Sequence, residues 1–208
     1  MHDREISRVD IWGRTAFERA LQAQGRPTSD YDLNAPLDLP ANRRLKPAAV
    51  LVLLDDLEAD GPHLVLTQRA SHLKHHPGQI AFAGGKLDAG DADAIAAALR
   101  EAQEEIGLPP DHVSVIGQLE AHETVTGYQI TPVLARLERR FDAVPEAGEV
   151  AEVFRVPLAF LLDAQNYRVE GRRWRGAWRK FYAVPWGPYY IWGATARILK
   201  ALSDRVAE

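Results

Sequence analysis

Residues Gly84 to Leu108, GGKLDAGDADAIAAALREAQEEIGL, constrain the fold more than any other stretch of this chain. Gly84-Gly85 closes an apolar run and reads as the end of a strand. The Ala-rich segment from about Asp91 to Ile106 then reads as a helix, with Asp91 or Asp93 as N-cap and Gly107 as its stop. Ile95, Leu99, Ala102 and Ile106 recur at spacings of four, three and four and predict a core-facing stripe. Glu101, Glu104 and Glu105 lie off that stripe at i, i+3 and i+4, so their side chains converge on one patch. Ala94, Ala97 and Ala98 stand one turn earlier on the same side, where their small side chains are expected to leave room for a loop or ligand. A patch of oxygen donors suits a hard divalent cation such as Mg2+.

Three glutamates alone do not demand a cation, because like charges at i, i+4 on an exposed helix cost only about 0.2–0.5 kcal/mol per pair. The combination says more: two glycines, an interval, then Arg-Glu-x-x-Glu-Glu-x-Gly-Leu. This resembles the Nudix box, G-x5-E-x7-R-E-U-x-E-E-x-G-U with U aliphatic. Arg100, Glu101, Glu104, Glu105, Gly107 and Leu108 match its second half, and Ala102 takes the first U position. The first half departs from it. The sixth residue after Gly85 is Asp91 rather than Glu, and eight residues rather than seven separate it from Arg100. A one-residue insertion where the loop enters the helix accounts for this and leaves the glutamates in register.

A second block precedes the box: LTQRASHLKHHPGQIAFAGGK, Leu66 to Lys86. It resembles the signature of the coenzyme A pyrophosphatase branch of Nudix enzymes, L-L-T-x-R-(S/A)-x-x-(L/M)-x-x-H-x-G-(Q/E)-(V/I)-x-(F/L)-P-G-G. Thr67, Arg69, Leu73, His76, Gly78, Gln79, Ile80, Phe82, Gly84 and Gly85 fall in place, while Val65 and Ala83 replace the usual Leu and Pro. Losing that proline loosens the backbone before the glycines without removing a ligand. The longer spacing inside the box is itself usual in this branch. Thr126-Gly127-Tyr128, the segment Glu149 to Val153, and the closing YYIWGATARIL look like the branch's later segments. The resemblance covers roughly Lys46 to Leu199.

The rest of the chain is consistent with one core. At 208 residues, 46% hydrophobic and 26% charged, nothing asks for a second globular unit. Asp10 to Gln24 reads as an amphipathic helix with Ile11, Phe17 and Leu21 apolar, and Gly25 to Lys46 as a connector too polar for the core. The division is therefore 1–45, helix and connector, and 46–208, Nudix hydrolase domain. Strands are expected at Ala48–Leu54 and His63–Thr67 (a hairpin-like pair), Val113–Leu119, Ile130–Leu137 and Phe181–Val184. Leu158–Asp163 reads as a short helix or turn, and Gly193–Val206 as the closing helix. The fold class is α/β (α+β): a sandwich with a mixed sheet between helices on both faces.

Net charge of −4 gives no reason to expect a nucleic acid as partner. The chain has no run of about 18 apolar residues, and MHDREISR is no signal peptide. A cytoplasmic protein with no membrane partner is expected. With no cysteine, thiolate zinc and cysteine nucleophiles are excluded. The N-terminal helix and connector are expected either to cover a sheet edge or to serve as the arm of a homodimer.

What the resemblance implies chemically is hydrolysis of a diphosphate linked to another moiety, with Mg2+ or Mn2+ as cofactor. It makes Glu101 and Glu105 the first metal ligands, with Glu104 in the cluster and Gly85 supplying a backbone carbonyl. At about 5.5 Å and an effective dielectric near 20, each partly buried carboxylate pair repels by roughly 3 kcal/mol, which a cation or a proton relieves. Arg100 is expected to hold a glutamate, Glu104 being a candidate, in its ligand rotamer. The water-activating base is Glu104, or Glu149 or Glu152 from a later loop. Arg69, Lys74 and the His72, His75, His76 group are candidates for the phosphates of coenzyme A, with Gln79 and Lys86 beside them. His76 is the histidine expected to be functional; H-x-x-H-H before a Pro-Gly turn is a poor zinc site. Phe82 is expected in the core.

The expected reaction is cleavage of coenzyme A or its derivatives to 3′,5′-ADP and (acyl-)4′-phosphopantetheine. One rival is a Nudix hydrolase for ADP-ribose, a dinucleoside polyphosphate or a nucleoside triphosphate. The block from Thr67 to Phe82 argues against it. The other is a non-catalytic nucleotide-binding module, which is expected to lose box carboxylates that this chain keeps.

Overall fold

The computed structural model describes residues 14–23, 25–34, 43–174 and 176–207. Along the chain run helix α1 (Arg14–Gln22) and strands β1 (Thr28–Ser29), β2 (Lys46–Asp55), β3 (His63–Arg69), β4 (Ile80–Ala81) and β5 (Ala83–Lys86). Helix α2 (Ala94–Ile106) follows, then β6 (Val113–Gln118), β7 (His122–Glu123), β8 (Tyr128–Leu137) and β9 (Val150–Pro157). The last part holds α3 (Leu158–Leu162), β10 (Arg168–Trp174), β11 (Ala177–Trp186), β12 (Tyr189–Trp192) and α4 (Ala194–Ala207). Every strand and helix expected from residue 46 onward is present. Of the expected first helix, Asp10, Ile11 and Gln24 lie outside the described residues.

The main sheet is mixed. β2 and β8 pair in parallel at its centre, while β3 and β5 pair with β2 in the antiparallel sense. β2 is apolar almost throughout because both of its faces are covered. Ala49, Leu51 and Leu53 point to one core, which α2 completes with Ala97, Ala98, Ala102 and Ile106. Val52 and Leu54 point to the other, with Phe17 of α1 and Ile198, Leu199 and Leu202 of α4. Helices thus cover both faces, as the α/β reading requires.

One expectation about α2 is overturned. Ala97 and Ala98 are fully buried and touch the sheet, so the space beside them holds neither loop nor ligand. Ile95 and Leu99 are only half-buried at the flank, and Glu105 shares the buried face. The reason is steric. Alanines let the helix axis come close to the sheet, whereas a face of Ile and Leu holds it off.

Two features were not legible from the pattern. β10, β11 and β12 form a separate antiparallel three-stranded sheet, of which only the middle of β11 was expected. The polar connector contains β1, which pairs in parallel with β7 at the edge of the main sheet. α1 is itself packed into the first core through Ala16, Phe17 and Ala20. Among the described residues no helix is long and apolar enough to cross a membrane.

Candidate active site

Helix α2 is capped at both ends. Asp93 caps α2 by accepting from the Ala96 N–H, and Gly107 ends it in the left-handed conformation at φ 69°. Gly84 has φ 152°, and a Cβ there would lie 2.4 Å from the Ala49 carbonyl oxygen on β2. A Cβ on Gly85 would lie 2.5 Å from Oε1 of Glu101. The two glycines therefore admit two different neighbours: a strand backbone and a carboxylate.

Arg100 organises the acidic side chains. Its Nε and Nη2 each donate to Asp91, at 2.9 Å, as a two-pronged pair. Nη1 donates to Glu101 at 3.1 Å and to Glu104 at 3.0 Å, and Nη2 also donates to the Lys86 carbonyl at 3.2 Å. The expected hold on Glu104 is present, shared with Glu101. Asp91, whose place in the box was in question, is the residue that anchors the arginine. Its hydrogen bonds from Arg100 and the Asp88 N–H hold its carboxyl below the usual range.

Glu105 is 4% exposed and accepts from the Gly84 N–H at 3.0 Å. Burial pushes its carboxyl up to about 7; the Gly84 N–H and Arg69 oppose the shift, and the negative charges of Glu101 and Glu149 add to it. Glu101 is also pushed up, chiefly by burial, with Arg100 opposing and Glu104 and Glu149 reinforcing. Glu101, Glu105 and Glu149 therefore share one field. These oxygen donors fit a hard divalent ion. Among the described residues no group of three or more acidic or imidazole side chains is arranged to hold a metal ion. Mg2+ needs only one or two carboxylates when water and substrate phosphate fill the rest of its shell.

The raised Glu105 has a consequence for the metal-free protein. Between its ordinary 4.5 and about 7, the unfolded chain is ionised at this position while the folded chain keeps its proton. Stability from this group is full below that window and is lost as pH rises through about 7, a change of about 3 kcal/mol. Urea midpoints with chelator present should fall between pH 5 and 8, and Glu105→Gln should flatten that slope. An unchanged slope in the variant would assign the effect to other groups.

Glu152 is not brought to this cluster. It accepts from the Tyr189 hydroxyl at 2.8 Å, and Tyr189 stacks on Phe154 at 3.7 Å. Phe154 is two residues on in the same strand and faces the first core, so alternation turns Glu152 to the side away from α2. Its candidacy as the base is corrected accordingly.

Beside Gly84 opens a cavity of about 320 Å³. The segment from Arg69 to Gln79 forms one wall as a tight turn in which Gly78 N–H donates to the Arg69 carbonyl and Arg69 N–H to the Gln79 carbonyl. His76 sits in this turn at φ 55°, the one non-glycine among the described residues in the left-handed region. Its ring is held below the ordinary value by burial first, then by Arg69. Arg69, His76 and Gln79 line the cavity; Lys74 and Lys86 do not and are exposed. Phe82 is buried in the first core, as expected, and also reaches the cavity. Sequence reasoning missed Asp30, Arg172, Lys180 and Arg197, which line the opposite walls. A signal existed for part of this, since Thr126 and Tyr128, and Trp192 and Arg197, belong to the two later segments singled out above, and all meet here.

A glycine loop, a carboxylate helix held by one arginine and a cationic cleft thus lie together on the mixed sheet. Residues 44–174 match the NUDIX domain. The chain is 42% identical over 165 residues to an uncharacterized Nudix hydrolase NudL of Enterobacter sp. (strain 638), covering 79% of this chain and 84% of that one. It is 43% identical over 155 residues to the protein of the same name from Salmonella newport (strain SL254), covering 74% and 81%. Among solved structures, the Nudix hydrolase RenU of M. smegmatis is similar at a TM-score of 0.46 and 26% identity, over 54% of this chain and 70% of that one. The chain belongs to the Nudix family.

Proposed function

We propose that this Nudix hydrolase cleaves the diphosphate of coenzyme A or its derivatives, giving 3′,5′-ADP and (acyl-)4′-phosphopantetheine. The observation that carries this reading is the charge of the cavity beside Gly84. Among the described residues its lining includes five cations, Arg69, Arg172, Arg179, Lys180 and Arg197, of which Arg197 is paired with Asp32, and one carboxylate, Asp30. That carboxylate is engaged by His122 at 3.2 Å and by the Val125 N–H at 2.8 Å. Such a site suits a ligand with more phosphate than the scissile diphosphate alone, and coenzyme A carries a 3′-phosphate besides. The wall from Arg69 to Phe82 is also the segment that resembles the coenzyme A branch.

Glu101 and Glu105 would hold the divalent ion, with Glu104 and the Gly85 carbonyl as further donors. Bound Mg2+ or Mn2+ supplies charge neutralisation and a more acidic water. Arg100 keeps Glu101 and Glu104 in place through its grip on Asp91. Water adds to one phosphorus, its proton passes to a carboxylate, and the bridging oxygen leaves on the other phosphorus. Glu149 and Glu104 are the candidates for that proton. Arg69, within electrostatic reach of Glu105 and lining the cavity, faces the negative charge of the phosphates.

A panel of coenzyme A, dephospho-coenzyme A, ADP-ribose, a dinucleoside polyphosphate and a nucleoside triphosphate, with Mg2+ or Mn2+, tests the assignment. Coenzyme A should show the highest kcat/KM. Arg69→Gln should lower it by roughly 1.5–3 kcal/mol, and Lys74→Gln by much less. Faster turnover of ADP-ribose than of coenzyme A would defeat the substrate assignment and leave the diphosphatase chemistry standing.

A further inference from the structure

The polar segment before the Nudix domain forms part of the cavity's wall. Ser29, Asp30 and Leu33 line it. The segment is anchored at its start by β1, where Thr28 bonds the buried His122 at 2.9 Å. Beyond that point its side chains reach residues very distant in sequence. Asp32 accepts from Arg197 Nε at 2.8 Å, with Nη2 of the same guanidinium at 2.7 Å. Asn34 pairs with the backbone of Lys180 twice, donating to its carbonyl at 3.1 Å and accepting from its N–H at 2.9 Å. The Tyr31 ring lies 5.5 Å from the Arg179 guanidinium. Two of the cavity's guanidinium groups and the backbone of a third cationic residue are thus met by one short stretch of chain.

Arg197 is the most informative of the three. Its side chain is 13% exposed, its guanidinium lies 5.6 Å from the Tyr182 ring, and it lines the cavity. Asp32 engages one edge of the fork, Nε and Nη2. Nη1 has no hydrogen-bond acceptor among the described residues, so a guanidinium fixed on one edge retains donors for an anion. The match to the NUDIX domain spans 44–174, so residues 28–34 and the Lys180 and Arg197 they grip all lie outside it.

We infer that residues 28–34 are a specificity strap: Asp32 is a positioning residue that presents Arg197 to an anionic phosphoryl group of the substrate, away from the bond that breaks. The inference rests on reading this cavity as the substrate pocket, and not on coenzyme A being the substrate. Holding the fork in advance removes the rotamer entropy a free arginine loses on binding. The chemistry at Glu101 and Glu105 does not depend on the strap, so selection of the substrate and cleavage are separable.

The test is steady-state kinetics of full-length Asp32→Asn and Asp32→Glu with Mg2+. Two substrates are compared: the nucleotide that the parent enzyme turns over fastest, and p-nitrophenyl methyl diphosphate, which carries no phosphoryl group beyond the scissile diphosphate. For Asp32→Asn, KM for the nucleotide should rise about tenfold with kcat within about twofold of the parent, and kcat/KM for the short substrate should change less than twofold. Asp32→Glu, which keeps the charge, should recover much of the loss. An unchanged nucleotide KM, or an equal fall on both substrates at an unchanged melting temperature, would overturn the inference. A variant that melts early is replaced by Arg197→Lys, which keeps the charge but not the fork and should give the same split. Failure of the coenzyme A assignment is read separately, from the parent enzyme's substrate preference.

Discussion

Glu105→Gln should reduce turnover by at least about a hundredfold while leaving the fold intact. The substitution keeps the shape of the side chain and removes its charge. An amide can still accept from the Gly84 N–H, the bond that ties α2 to the glycine loop at 3.0 Å. It also relieves the burial that pushes the carboxylate up to about 7, so the metal-free variant should be no less stable than the parent above neutral pH. Loss of activity together with retained or raised stability is the signature of a group held in an unfavourable state for chemistry. Turnover within a factor of a few of the parent would remove Glu105 from the mechanism. Calorimetric titration with Mg2+ or Mn2+ should show correspondingly weaker binding.

The second large effect comes from a pair of neighbours that look alike in sequence. Gly84→Ala should cost about 3 kcal/mol or more, roughly 10 °C in melting temperature for a chain of this size. Its Cβ would lie 2.4 Å from the Ala49 carbonyl oxygen and 2.6 Å from the Val50 Cα. Both are backbone atoms of β2, and neither can turn aside, so the β2–β5 pairing must open. Gly85→Ala first meets the carboxylate of Glu101, the far end of a side chain, which can turn aside at the cost of its bond from Arg100. Stability should fall by about 1 kcal/mol or less, while activity falls as steeply as for Glu105→Gln, because Glu101 is displaced. Thermal melts set beside turnover separate the two cases. Equal melting temperatures for the two variants would contradict this division.

Much of the site was readable in the chain because its elements are local. Asp93, Gly107 and the glutamates stand at fixed intervals on one helix, and helical geometry alone places them relative to one another. The glycines adjoin that helix, and Arg100 reaches Asp91 across a single loop. The strands of the main sheet were legible for a similar reason: β2, β3, β6 and β8 are apolar runs bounded by turns. Phe82 was likewise read as a core contact from one continuous block.

The tertiary structure decided what depends on distant segments meeting. Which face of α2 is buried could not follow from side-chain size alone. The sheet accepts the alanine face, so Ile95 and Leu99 pack only at its flank, and Glu105 is carried into the interior with it. Strand alternation, fixed only by the pairing of β9 with β3, sends Glu152 to Tyr189, while Glu149, just before that strand, adds its charge to the field at Glu105. The connector reads as polar and unremarkable because its partners lie 146 and 165 residues away, at Lys180 and Arg197. Sequence determined the helix, the loop and the acids they carry, since backbone geometry relates near neighbours. The cavity beside Gly84 is set by contacts across the fold, and no spacing along the chain encodes those.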